Sequence, residues 1–385
     1  MTNPDSMKVA AGASKIPAGA RQLAPGSRAR VSLSGVSRGA AELEVKLAVR
    51  QAAEAATDFL WLSKGDAVFI KAVNNSGNSY PATTSPTAVA AMVELLKEKG
   101  AGRVIVGDMS GVQHLRFSPT LLSGSSRALM ASSGLAQAVG ASGAELHCFE
   151  EGGWNAFYEE WPAAGSNWKG GLMMPNILKQ VEHIVLMPRC SRHLLAGSTL
   201  GLKAVVGYWR HDTRLEYHRD AATLPEKTAE GNTVATLRTK QRLVISAADK
   251  LLTTFGPDKG YVFEPDNGLV IASDSVVAHD MVSLAWLLEN RRTIPASERD
   301  GFMDTSTVLP RVVNHVLNIW LGGWGSALAS ETMTKNSLNT IWDDRVLNRS
   351  YDLFGGVPDV LLETTGSALP EDLKDRLGRM TAVPI

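Results

Sequence analysis

Cysteine is nearly missing from this chain: Cys148 and Cys190 are its only two. They form no Cys-x-x-Cys pair, which removes an iron–sulfur cluster and a cysteine-built zinc site. Nor do they suggest a disulfide framework, so a reducing, cytoplasmic setting is expected. Long apolar runs are lacking too: none approaches the roughly 18 residues of a membrane span. The Ala/Gly/Pro/Ser-rich start, residues 1–33, has no apolar core of the kind a secretory signal needs. An excess of either charge is also lacking, because 39 Lys and Arg balance 39 Asp and Glu. No overall field therefore draws the protein to nucleic acid or to an anionic membrane. A small-molecule substrate is the expected partner, and a homo-oligomer is allowed.

What is present suits two lobes, or one large domain with extensions, in 385 residues. Buried-looking strands are read at 66–73 (DAVFIKAV), 103–109 (RVIVGDM), 144–150 (AELHCFE), 182–189 (EHIVLMPR) and 268–274 (GLVIASD). Helices are read between them. The first is opened by Thr84, Ser85 and Pro86, another lies around 127–140, a helical run near 233–254, and one at 276–292. Successive βαβ units with right-handed crossovers predict an α/β fold, a mostly parallel sheet flanked by helices, in two lobes with a cleft. Residues 1–45 read as a flexible or wrapping arm and 46–292 as the α/β core. Within it the lobes fall at about 60–150 and 181–292, around a Trp- and Gly-rich insertion at 151–180 that is a lid or an ordered connection. Residues 293–385 read as a mainly helical extension.

Four loops that follow strands are unusually polar, and in a parallel sheet all four would meet at the carboxyl edge, where α/β proteins bind ligands. They carry Lys71, Asn74, Asn75 and Ser76; Asp108, Ser110, His114 and Arg116; His193 and Lys203; and Asp274, His279 and Asp280. Plainer roles exist for most of them. Lys71 could be a salt-bridged structural lysine, Asp274 a helix N-cap, Asp280 a partner of the helix dipole and His279 a core histidine. His211 and His218, seven apart in YWRHDTRLEYHRD, either form a solvated face or join His193 in an imidazole site for a transition metal. In SRHLLAGSTLGLKAVVG (191–207), Gly197 and Gly201 permit close backbone approach, and Ser198 or Thr199 could cap a helix whose free N–H groups hold phosphate or carboxylate. The spacing is not that of the Gly-x4-Gly-Lys phosphate loop, because Leu202 separates Gly201 from Lys203. Lys203 could bind an anion, form an imine or carry a covalent cofactor.

Taken together, Ile70-Lys71, Asn74, Thr84, Pro86, Gly107-Asp108, Pro188, His193, Gly197, Thr199, Leu202-Lys203, Asp274, Ala278 and Asp280 resemble the pattern of the domain of unknown function 362 family over roughly residues 65–290. The chain departs from many relatives in having Ser191 where they have lysine, and in lacking cysteine-rich ferredoxin modules. More distantly, His193-x3-Gly197-x3-Gly201-x-Lys203 resembles a signature of the nickel-pincer lactate racemase superfamily, with Arg192 and Leu202 replacing its proline and arginine.

That second resemblance implies a pincer nucleotide carried by Lys203 and a divalent metal, nickel, with His193, His211, His218, Asp274 and Asp280 as candidate ligands. The expected function is an enzyme acting on a small hydroxy- or carboxy-containing substrate by proton or hydride transfer, racemase- or epimerase-like. His193, Lys203, Asp108 and His114 are its candidate catalytic groups, Lys71, Asn74, Asn75, Ser110 and Arg116 its substrate contacts, and Gly197, Ser198, Thr199 and Gly201 its cofactor contacts. A metal-assisted lyase or hydrolase, or a non-catalytic anion-binding protein, stands as the alternative.

Overall fold

Short runs rich in Val, Ile and Leu supply the strands of one sheet: β1 (Pro25–Ser37), β2 (Ala67–Lys71), β3 (Arg103–Asp108), β4 (Glu145–Cys148), β5 (His183–Leu186), β6 (Gln241–Ala248), β7 (Asn267–Ser273) and β8 (Val357–Thr365). Their order across the sheet is β8-β1-β7-β6-β5-β2-β3-β4. β7 runs antiparallel to both its neighbours, and every other adjacent pair is parallel. The fold is α/β with a mostly parallel sheet. The computed structural model describes residues 25–299, 308–334, 336–366 and 369–384.

The helices that shape the site and its support are α1 (Glu42–Ala56), α2 (Pro86–Glu98), α3 (His211–Arg219), α4 (Val276–Arg291), α5 (Val308–Leu328), α6 (Arg345–Leu353) and α7 (Glu371–Thr381). α2 starts as its sequence predicts: the Ser85 side chain accepts from the Ala88 N–H, and Pro86 occupies the first turn. Strand alternation then sorts the core into two faces. Val68 and Ile70 of β2, Val104 and Val106 of β3, and Leu243 and Ile245 of β6 pack beneath α1 and α2. On the other face, Phe69, Ile105 and Ile184 meet an aromatic layer built from Phe149, Trp168, Tyr208, Trp209 and Tyr217. Further along that face Val244, Leu269 and Ile271 meet α4. Each such aliphatic side chain, fully removed from water, contributes about 1.5–3 kcal/mol before entropy is counted.

From β2 the chain moves outward to β3 and β4, then returns to the opposite side of β2 to form β5 and β6. Strand order therefore reverses between β2 and β5, and a crevice opens at their carboxyl ends, the usual ligand position of such sheets.

Several expectations change against the coordinates. The helical run read at 233–254 is a short helix, Ala235–Lys240, followed by β6 in the middle of the sheet. A strand buried on both faces shows no apolar–polar alternation, so its sequence looks like a core helix. The helix read at 127–140 is two, Ser126–Ser132 and Leu135–Ala141, broken at Gly134 (φ 86°). Of the segment 1–45 read as an arm, residues 1–24 lie outside the described residues, and most of the remainder forms β1 and the start of α1. Residues 293–385, read as mainly helical, also supply β8 at the sheet edge. The segments 60–150 and 181–292, expected as two lobes, share one continuous sheet, because β5 hydrogen-bonds directly to β2.

The insertion 151–180 is an ordered connection. It forms a hairpin of Phe157–Glu160 with Leu172–Pro175, and it seats Trp168 edge-on against Trp209. Among the described residues no helix is long and apolar enough to cross a membrane.

Candidate functional site

At the end of β2, Lys71 is fully buried and its Nζ lies 2.6 Å from Asp108 Oδ1 at the end of β3. Asp108 Oδ2 accepts the Asn74 backbone N–H at 2.6 Å, and Lys71 also donates to the Ala72 carbonyl at 2.6 Å. Burial lowers the Lys71 pKa and the Asp108 carboxylate opposes that shift. Gly207 covers the pair: a Cβ there would collide with Asp108 and the Lys71 amine. Asn74 and Ser110 tie the two loops together. The Ser110 hydroxyl donates to the Asn74 carbonyl (2.8 Å), and Asn74 Oδ1 accepts from Ser133 (2.8 Å).

Arg214, buried on α3, donates to the carbonyls of Trp209, Ser110, Met109 and Gly207, which locks the β3 loop to residues 207–209. Burial pulls its guanidinium down to about 10. Arg214 is not among the expected site residues, its segment being read either as a solvated face or as an imidazole site. The available signal was its spacing: Arg214 and His218 stand one turn apart, on one face of a helix.

The stretch 191–207 folds as a tight hairpin, Ser191–His193 against Gly197–Thr199, followed by the short helix Gly201–Ala204. Gly197 (φ 88°) makes the turn, and a Cβ would press on Asn336. The free N–H groups expected at the start of that helix are not free. Asp280 on α4 accepts from Gly201 N (2.8 Å) and Leu202 N (2.7 Å), and it also pairs with His279 Nδ1 (2.8 Å). The anion cradle is filled by the protein's own carboxylate. His279 is a core histidine, its Nε2 on Ser246 at 2.8 Å.

A cavity of about 520 Å³ lies between these elements. Lys71, Asn75, Asp108, His114, His193, Thr199, Lys203, Arg214 and His218 all line it, with an apolar wall that includes Leu194, Leu195, Val206, Val313 and Leu317. No residue of 151–180 lines it; the loop Phe255–Lys259 and α5 do. Lys203 faces this space without a hydrogen-bond or carboxylate partner among the described residues, its Nζ 5.7 Å from the centre of the Tyr217 ring. Burial, followed by the charges of Arg214, Arg189 and Lys71, pulls its pKa down to about 7.

Two histidines flank that amine with opposite tautomers. His193 Nδ1 accepts the N–H groups of Leu195 (3.1 Å) and Ala196 (3.2 Å), so its proton sits on Nε2. His218 Nδ1 meets Asn314 Oδ1 at 3.0 Å, while Asn314 Nδ2 donates to the His218 carbonyl at 2.8 Å. That arrangement puts the His218 proton on Nδ1 and leaves the Nε2 lone pair open. Both rings are held neutral: burial drives His193 well below its ordinary value and His218 down to about 3, with the Lys203 charge adding to each. Thr199 Oγ1, buried in the same wall, has no hydrogen-bond partner among the described residues.

The remaining expected residues fall elsewhere. His211 accepts the Phe117 N–H (3.1 Å) and packs edge-on against the Phe117 ring. Arg116 is exposed, its guanidinium 6.0 Å from the Trp320 ring centre. Asp274 follows β7, which runs opposite to its neighbours, so it emerges at the far edge of the sheet, and Ser275 rather than Asp274 caps α4. Ser198 lies in the hairpin, outside the cavity wall. Among the described residues no three His, Cys, Asp or Glu side chains are gathered to hold a metal ion. The five residues expected as ligands are thus dispersed: His193 and His218 line the cavity, His211 packs on Phe117, Asp280 holds the Gly201–Leu202 turn and Asp274 lies at the far edge.

Residues 68–285, more than half of the chain, match the family described as Domain of unknown function (DUF362). The chain belongs to that family. No curated protein matches this DUF362 member significantly. Among solved structures it is similar to the lactate racemase apoprotein from Thermoanaerobacterium thermosaccharolyticum, at 12% identity and TM-score 0.38, over 65% of this chain and 54% of that one. It is also similar to a protein from Thermotoga maritima, at 11% identity and TM-score 0.33, over 60% and 55% respectively. The DUF362 chain thus spans about half the length of each of these proteins.

Two features expected of a pincer-nucleotide site are taken up by the protein's own groups. The loop expected to cradle its phosphate spends its N–H groups on Asp280. The His193 lone pair that would meet a metal is spent on two backbone N–H groups.

Proposed function

We propose that this protein is an enzyme that moves a proton at a carbon atom of a small carboxylate-bearing substrate, an isomerase in the racemase or epimerase sense, in the cavity around Lys203. One observation carries the reading: an amine without a partner faces a cavity that is also lined by a fixed N–H donor, His193 Nε2, and a fixed lone pair, His218 Nε2. Buried ionisable groups without partners cost stability, and they persist where chemistry uses them. His193, neutral and locked, polarises a substrate oxygen by hydrogen bonding. His218 Nε2 accepts the proton and returns it. The cations Lys71, Arg214 and Arg189, whose combined field lowers the Lys203 pKa, favour an anionic substrate.

The test is deuterium exchange. A panel of 2-hydroxy and 2-oxo acids is incubated with the protein in heavy water and followed by proton NMR. Exchange at carbon next to the carboxylate or carbonyl is expected with the wild type, and at least about 100-fold slower with Lys203→Ala. Equal rates in a folded Lys203→Ala protein would overturn the reading. Binding of the acids without any exchange would return the protein to the anion-binding class.

A further inference from the structure

We propose that Lys203 forms an imine with the keto carbon of a 2-oxo acid that carries an apolar substituent, its carboxylate held by Thr199 and His193. This rests on the proton-transfer reading above and names the substrate class. A proton next to a carboxylate alone is too weakly acidic for a neutral imidazole to remove, so the reaction needs an electron sink. Three lysines line the cavity: Lys71 is paired with Asp108 and Lys259 is exposed to water, which leaves the Lys203 amine, engaged by neither a carboxylate nor a carbonyl of the described residues, as the group placed to build one. An imine nitrogen, once protonated, draws electrons from the neighbouring carbon as a metal ion would.

The wall chemistry selects the rest of the molecule. Thr199 offers a buried hydroxyl with no partner, and His193 offers its Nε2–H. Both residues line the cavity. These neutral donors suit a carboxylate in the field of nearby cations. A space of about 520 Å³ with Leu194, Leu195, Val206, Val313 and Leu317 in its wall is far larger than a three-carbon acid needs, and its surface asks for an apolar body.

The step balances without any further reactant. The Nζ lone pair attacks the keto carbon, a C–N bond forms, and the C=O π pair moves to oxygen. His218 Nε2 carries two protons in turn from nitrogen to that oxygen, which then leaves as water. The product is the imine. Loss of a proton from the adjacent carbon to His218 then gives the enamine, and its return to carbon reverses or inverts the centre.

The test is reductive trapping of the full chain. Phenylpyruvate and sodium cyanoborohydride are added, and the modified lysine is located by peptide mapping. One adduct per chain, at Lys203, is expected. Its yield should fall when oxalate competes, and it should vanish in Lys203→Arg, whose fold is checked by circular dichroism. Modification spread over surface lysines, or none at Lys203, overturns the imine. Wild-type deuterium exchange without a Lys203 adduct overturns the imine alone, whereas loss of both exchange and adduct overturns the proton-transfer reading as well.

Discussion

Two lysines line one cavity, and their surroundings differ in kind. Lys71, at the end of β2, is fully buried against Asp108, and the loops around it are knotted by Asn74, Ser110 and the four carbonyls that hold Arg214. Lys203, on the short helix after the 191–199 hairpin, has a ring beside it and no counter-charge. Around Lys71 every charge serves to fix the backbone. Around Lys203 the backbone has been spent on fixing His193 and His218, and the charge is left over. The difference separates a structural lysine from a reactive one.

Exchanging each lysine for methionine breaks that comparison most directly. Lys203→Met should lower deuterium exchange by about 1,000-fold while leaving the thermal midpoint unchanged or raised, since an unpartnered buried amine is removed. Lys71→Met should do the reverse, destabilising the fold by about 3–5 kcal/mol in urea titrations by stranding Asp108. Similar stability losses for both variants would erase the distinction.

A smaller effect is expected at the support beneath Lys203. Asp280→Asn replaces a carboxylate that accepts two backbone N–H groups, leaving one donor facing an amide N–H. A loss of about 2–3 kcal/mol is expected, read by the same titration, together with slower trapping at Lys203.

A further effect is in pH. Lys203 releases its proton at about 7 in the folded protein, against 10.5 for its ordinary value. Between these values the unfolded chain binds more protons, so stability rises with pH by up to about 1.4 kcal/mol per pH unit from this group. Relative to Lys203→Met, the wild type should therefore gain stability as pH climbs from 7 toward 10.5. Parallel curves for the two proteins would place the amine in a water-like setting.

Much of this arrangement is readable in the sequence, and the unreadable parts share a cause. β2, β3, β4, β5 and β7 announce themselves as short apolar runs between turn signals, and α2 and α4 carry caps. β6 does not, because a strand buried on both faces has lost the alternation that distinguishes it. Direction is equally silent: nothing in GLVIASD says that β7 runs against the sheet, and that single reversal removes Asp274 from the crevice. At the site, the prominence of His193 and Lys203 was visible in their small, apolar setting. The occupation of the loop by Asp280, 78 and 79 positions further along the chain, was not. Partners distant in sequence decide whether a polar group is free, and spacing within one segment does not register them.

The place of β1 has a consequence for how the protein is made. This strand leaves the ribosome early, yet its hydrogen-bonding neighbours are β7 and β8, through pairs such as Ser32 with Ala272 and Ser32 with Glu363. Until those segments have been synthesised, a long strand with Val31 and Leu33 on it has no ladder to join. Its contacts are among the most non-local in the molecule, which slows their closure. Until β7 and β8 are in place, its unpaired edge is open to pairing with another chain.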